Sequence, residues 1–145
     1  MADKGYILML EKDEHDSELS NNYFEAMRIP AHFLRQSNQV LPFLNRLLIE
    51  RAELPAIILL SMNSVPDTGL EVLQQIKKEK QFRHIPVIIL GESTKPELIN
   101  RCYAEGVNTF INKPLSNALT DVTIKTFLLY WFEVAELNQQ KIQYA

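Results

Sequence analysis

A single cysteine, Cys102, stands among 145 residues, so no disulfide can close within the chain, which fits a reducing compartment. No charged leader with an apolar core and a cleavage site is present, and the early apolar run Tyr6 to Leu10 is too short for a signal peptide or a membrane span. Lysines and arginines are scattered and the net charge is −3, so no basic stripe suits nucleic acid. There is also no glycine-rich phosphate cradle, internal repeat, low-complexity tract or linker. These absences leave the expectation of a cytoplasmic chain. Residues 1–145, 46% of them apolar, are enough for one buried core and too few for two ordinary domains.

What the chain does contain is a recurring alternation. Strand-length apolar runs fall at Tyr6 to Leu10, Ala31 to Leu34, Ala56 to Leu60, Val87 to Leu90 and Thr109 to Ile111. Helical spacing follows each, roughly over Asp16 to Met27, Val40 to Arg51, Leu70 to Lys80, Pro96 to Glu105 and Asn117 to Asn138. Runs apolar on successive residues mark strands covered on both faces, which points to an α/β fold with a parallel sheet between helices. The core is expected over about 5–116 and the last helix over about 117–138. Thr94, with Glu97 three residues on, has the spacing of a capping box for the fourth helix.

In such sheets the reactive groups collect at the carboxyl ends of the strands. Strand one delivers Glu11 and Lys12, strand three Ser61, strand four Gly91 and strand five Lys113. Leu10-Glu11-Lys12-Asp13 with Asp16 and Glu18-Leu19, the loop Leu59 to Gly69, and Phe110-Ile111-Asn112-Lys113-Pro114 occur in an order and spacing that resemble the receiver domain of bacterial two-component response regulators. The resemblance covers nearly the whole chain. It implies a flavodoxin-like (βα)5 fold with strand order 2-1-3-4-5, a set that spacing alone does not fix.

The resemblance also implies a chemistry. The family uses an acceptor aspartate, an acidic pair on strand one for Mg²⁺, a main-chain oxygen two residues beyond the acceptor, a hydroxyl on strand four and a lysine. Glu11, Asn63 and Lys113 match their positions. Lys12 falls on the second acidic position, Ser61 on the acceptor and Gly91 on the hydroxyl. Glu11, Lys12 and Lys113 together carry about +1, which disfavours Mg²⁺ and gives the expectation of no metal and no cofactor.

Ser61 lacks a general base by motif, because His15, His32 and His84 all fall elsewhere, so an activated nucleophile is not expected, and without an acceptor carboxylate neither is a phosphotransfer enzyme. Two readings stay open: a small polar residue at a strand end, or an anion or ligand pocket formed by Ser61, Lys12 and Lys113. Asp13, Glu14, Asp16 and Glu18 suit the amino end of the first helix better than a metal site. Cys102 suits packing on the fourth helix. Pro114 falls where the family's peptide is commonly cis.

The last helix carries one apolar stripe of Ile124, Phe127, Leu128, Trp131 and Ala135, with Leu129, Tyr130, Phe132, Val134 and Leu137 beyond it. One stripe covers the sheet and the other needs a partner. This ending is similar to single-domain receivers associated with bacterial phytochromes, which implies a homodimer through the face of helices four and five, with Phe127, Tyr130, Trp131 and Phe132 as interface residues. Lys125 and Glu133 interrupt the apolar character, so no membrane helix is expected. The resulting expectation is a pseudo-receiver that works through contacts with a sensor kinase, another receiver or a downstream regulator, without phosphorylation and without contacting nucleic acid.

Overall fold

A computed structural model describes residues 5–92, 94–113, 123 and 125–134, with the backbone alone at 113, 133 and 134. Five parallel strands, β1 (Ile7–Leu10), β2 (Ala31–Leu34), β3 (Ile57–Ser61), β4 (Val87–Glu92) and β5 (Thr109–Lys113), form one sheet in the order β2-β1-β3-β4-β5. Between them run α1 (Glu14–Ala26), α2 (Val40–Glu50), α3 (Gly69–Lys78) and α4 (Pro96–Ala104). Residues 125–129 are helical and lead into a π-helical turn, Tyr130–Val134; these form the described part of α5. This is the flavodoxin-like fold that the resemblance implied.

The strands are apolar on successive residues because both sheet faces are covered. Leu8, Leu10, Ile58, Leu60 and Ile89 pack with Val40 and Leu44 of α2, Val72, Leu73 and Ile76 of α3, and Cys102 of α4. Their neighbours in sequence, Ile7, Met9, Ile57, Leu59, Ile88 and Leu90, pack with Phe24 of α1 and with Phe127, Leu128 and Phe132 of α5. β1 and β3 lie in register from Ile7↔Ile57 to Leu10↔Leu60, which brings Glu11 and Ser61 to the same end of the sheet.

One helix start and one helix cap depart from the expected ones. Helix α1 begins earlier than Asp16, because Asp13 is its N-cap and accepts a hydrogen bond from the Asp16 N–H at 2.8 Å. The capping box expected at Thr94 and Glu97 does not form. Lys95 is the N-cap without a side-chain bond, Pro96 occupies the first turn, and the Thr94 N–H donates instead to Asn112 Oδ1 at 3.1 Å. A capping box of that spacing does form at α3, between Thr68 and Glu71.

The expected interface on the last helix is corrected in two of its four residues. Phe127 and Phe132 are buried in the core, whereas Tyr130 is exposed and Trp131 half-buried. The cause is the π-helical turn, whose i→i+5 bonding brings residues five apart toward one face, a spacing that an ideal 3.6-residue period separates. Phe127 and Phe132 are such a pair. Pro114, Ile124, Ala135 and Leu137, with their expected roles, lie outside the described residues. Among the described residues no helix is long and apolar enough to cross a membrane.

Candidate functional site

At the carboxyl ends of β1, β3 and β4 a cavity of about 160 Å³ is lined by Glu11, Lys12, Asp13, Asp16, Ser61, Asn63, Leu90, Gly91 and Glu92. The parallel register explains the convergence. Ser61 is the last residue of β3 and pairs with Leu90, and Met62 N–H donates to Leu90 O at 2.8 Å, so β3 and β4 open into the same space. Glu11 follows β1, where its N–H donates to Leu34 O at 3.0 Å. Five of the expected site residues, Glu11, Lys12, Ser61, Asn63 and Gly91, therefore share one pocket. Lys113 ends β5 opposite Glu92, one residue past the Gly91↔Asn112 pair.

The groups differ in exposure. Glu11 and Ser61 are buried, Lys12 and Asn63 exposed. Glu11 Oε2 accepts from the Asp13 N–H at 3.3 Å, and the Glu11 main-chain O from the Ser17 hydroxyl at 3.4 Å, so the start of α1 bonds both the side chain and the backbone of Glu11. Ser61 O accepts from Ser64 Oγ at 2.9 Å and lies so close to Gly69 that a Cβ there would stand 2.7 Å from it. A glycine at the first position of α3 is what lets that helix pack against the end of β3. The intervening loop is anchored from the β2–α2 connection: Ser37 N–H donates to Val65 O at 2.9 Å, and Ser37 Oγ accepts from the Asp67 N–H at 2.7 Å.

Three lining carboxylates were not among the expected site residues: Asp13, Asp16 and Glu92. Asp13 and Asp16 come with the N-cap, a three-residue spacing legible in the sequence. Glu92 comes because β4 runs two residues beyond its apolar run. Beyond the count of about +1 from Glu11, Lys12 and Lys113, the described side chains that line the cavity include four carboxylates and one ammonium, the Lys113 side chain lying outside the described residues. A small anion would meet net repulsion there, which counts against a pocket of Ser61, Lys12 and Lys113 for phosphate.

Asp13 Oδ1 caps α1, Lys12 stands at the family's second acidic position, and among the described residues no three His, Cys, Asp or Glu side chains are grouped to hold an ion. None of His15, His32 and His84 lines the pocket, so Ser61 has no imidazole base. Cys102 is buried on α4, and burial pushes its thiol pKa up, as suits a packed residue rather than a nucleophile.

A doubly wound sheet of order 2-1-3-4-5 with a pocket at the β1, β3 and β4 ends is the flavodoxin-like arrangement, which receivers share. The probable methanogenesis regulatory protein FilR2 of Methanothrix harundinacea is 31% identical over 127 residues, covering 86% of this chain and 82% of that protein. The two-component response regulator ARR17 of Arabidopsis thaliana is 40% identical over 55 residues, 38% of this chain and about a third (35%) of that protein. The crystal structure of the phosphorylated cyanobacterial phytochrome response regulator RcpA superposes with a TM-score of 0.83 at 25% identity, covering 92% of this chain and 97% of that one. No protein-family model matches the chain. On these similarities and this fold, the chain belongs to the response regulator receiver family.

Proposed function

We propose that this receiver transmits its signal through protein contacts and is not phosphorylated at the acceptor position. The observation that carries the reading is that β3 ends in a hydroxyl, Ser61, in the same pocket as the Lys12 ammonium. A phosphoryl acceptor there would need a carboxylate on β3 and a cation between it and Glu11. Partners of this kind of domain are a sensor kinase, another receiver or a downstream regulator, and no enzyme activity is assigned to the chain. The decisive experiment is intact-mass spectrometry after incubation with acetyl phosphate and Mg²⁺. Neither the parent nor Ser61→Asp should gain the mass of a phosphoryl group, because Lys12 and Gly91 remain; an adduct on the single variant would overturn the reading. Mg²⁺ at millimolar concentration should likewise leave the amide resonances of Glu11 and Ser61 unmoved.

The quaternary part of the reading is a homodimer through α4 and α5. It is supported by the large apolar side chains these helices expose, Tyr103 on α4 and Leu129 and Tyr130 on α5. With Phe127 and Phe132 given to the core, the contact falls to Leu129, Tyr130 and Trp131. Light scattering at tens of micromolar should give twice the 16.8 kDa chain mass, and Tyr130→Glu should shift it to the monomer.

A further inference from the structure

Gly91 is buried where β4 meets the pocket, and its lack of a side chain is used by two other residues. A Cβ built at Gly91 would stand 2.7 Å from Phe110 Cζ and 3.1 Å from Cε1, and would overlap Thr94 Oγ1. The space that a side chain at position 91 would take is therefore filled from β5 by a ring and from the β4–α4 loop by a hydroxyl. Both residues are also tied by polar bonds. Thr94 N–H donates to Asn112 Oδ1 at 3.1 Å, and Phe110 N–H donates to the Tyr103 hydroxyl at 3.0 Å, which links β5 to α4. A continuous set of contacts thus runs from the pocket wall to Tyr103, whose side chain reaches the outer surface.

We propose that Gly91 is a steric lock: by omitting a side chain it admits Phe110 and Thr94, and so holds the β4–α4 loop, β5 and Tyr103 in one arrangement without any ligand in the pocket. A switch needs two packings of similar free energy and a ligand that prefers one of them. Turning Phe110 outward here would leave a void beside a residue with no side chain to fill it, and such voids forfeit the contacts of everything that lines them. The α4–β5 surface is consequently presented at all times. This goes beyond the missing acceptor and rests on packing rather than on receiver chemistry, so the phosphoryl-transfer result and this one fail separately.

The test is relaxation-dispersion NMR on the parent chain together with Gly91→Ala, Phe110→Ala and the double variant. The parent should show no microsecond-to-millisecond exchange at the amides of Thr94, Tyr103, Phe110 and Asn112. Gly91→Ala should move resonances as far as Tyr103 and lower Tm by roughly 5 °C or more, the response to overpacking. Removing the ring should relieve that clash, so the double variant should lose less Tm than the sum of the two singles. Exchange in the parent with a minor state above about 1% would overturn the lock, as would additive losses with shifts confined to the neighbours of residue 91. Should Gly91→Ala not fold, the parent's exchange behaviour decides alone.

Discussion

Leu60 and Ser61 are consecutive in β3 and nearly equally buried, at 0% and 7% exposure, yet they belong to regions under different constraints. Leu60 lies in the apolar cluster that joins β3 to α2, α3 and α4, where shape decides the fit. One residue further, Ser61 opens into a cavity whose other walls are mostly charged. Burial alone therefore does not tell a core position from a site position at a strand end; the chemistry of the surrounding groups does.

The sharpest way to break the comparison is to truncate both residues. Leu60→Ala should cost about 3 kcal/mol of unfolding free energy, because the lost transfer term is joined by a cavity that the packed helices cannot close. Urea denaturation measures this, and a loss below about 1 kcal/mol would show that the region is loosely packed. At the rim of the pocket, Asp13→Ala removes the cap that accepts from the Asp16 N–H and should cost about 1 kcal/mol. A loss near 3 kcal/mol would instead mean that the Asp13 carboxylate supports more than the cap it makes with the Asp16 N–H.

How far the molecule was legible in its sequence follows the same division. All five strands were found from apolar runs, since burial on both faces leaves an unmistakable continuous pattern. The strand order came from the family resemblance, because loop lengths alone do not choose among the topologies of five parallel strands. In the pocket, Glu11, Lys12, Ser61 and Gly91 were found because the ends of the runs point to them, and Asn63 came from the resemblance. Glu92 was not, because β4 continues past its apolar stretch once Gly91 and Glu92 pair with Asn112 and Lys113 of β5. The Thr94 cap was misread because Ser or Thr three residues before Glu is a local rule, and here β5 competes for the same backbone N–H. Phe127 and Phe132 were assigned to an interface from the resemblance of the aromatic ending, whereas both pack in the core beside Leu128.

A smaller effect is expected at Ser61 itself. Ser61→Ala keeps the backbone acceptor used by Ser64 and removes only a hydroxyl at the edge of a polar cavity. Its cost should stay within about 1 kcal/mol, the usual net value of one hydrogen bond. If the loss rivalled that of Leu60→Ala, Ser61 would be structural in the sense the core is, and the contrast between the two residues would vanish.

The smallest effect is expected at the opposite end of the sheet, where His84 precedes β4. Burial lowers its pKa from 6.5, and the positive charge of Lys77 adds to the shift. Lys77 is held near by its own bond from Nζ to Arg83 O at 3.0 Å. A histidine with a depressed folded-state pKa is neutral in the native protein while the unfolded chain has begun to bind protons. Its contribution to stability is therefore complete above pH 6.5 and is lost as pH falls through the lowered native value. His84→Gln should make the urea midpoint fall less between about pH 7 and pH 5, with little change above that range. Equal slopes in the parent and the variant would remove His84 as a source of acid sensitivity.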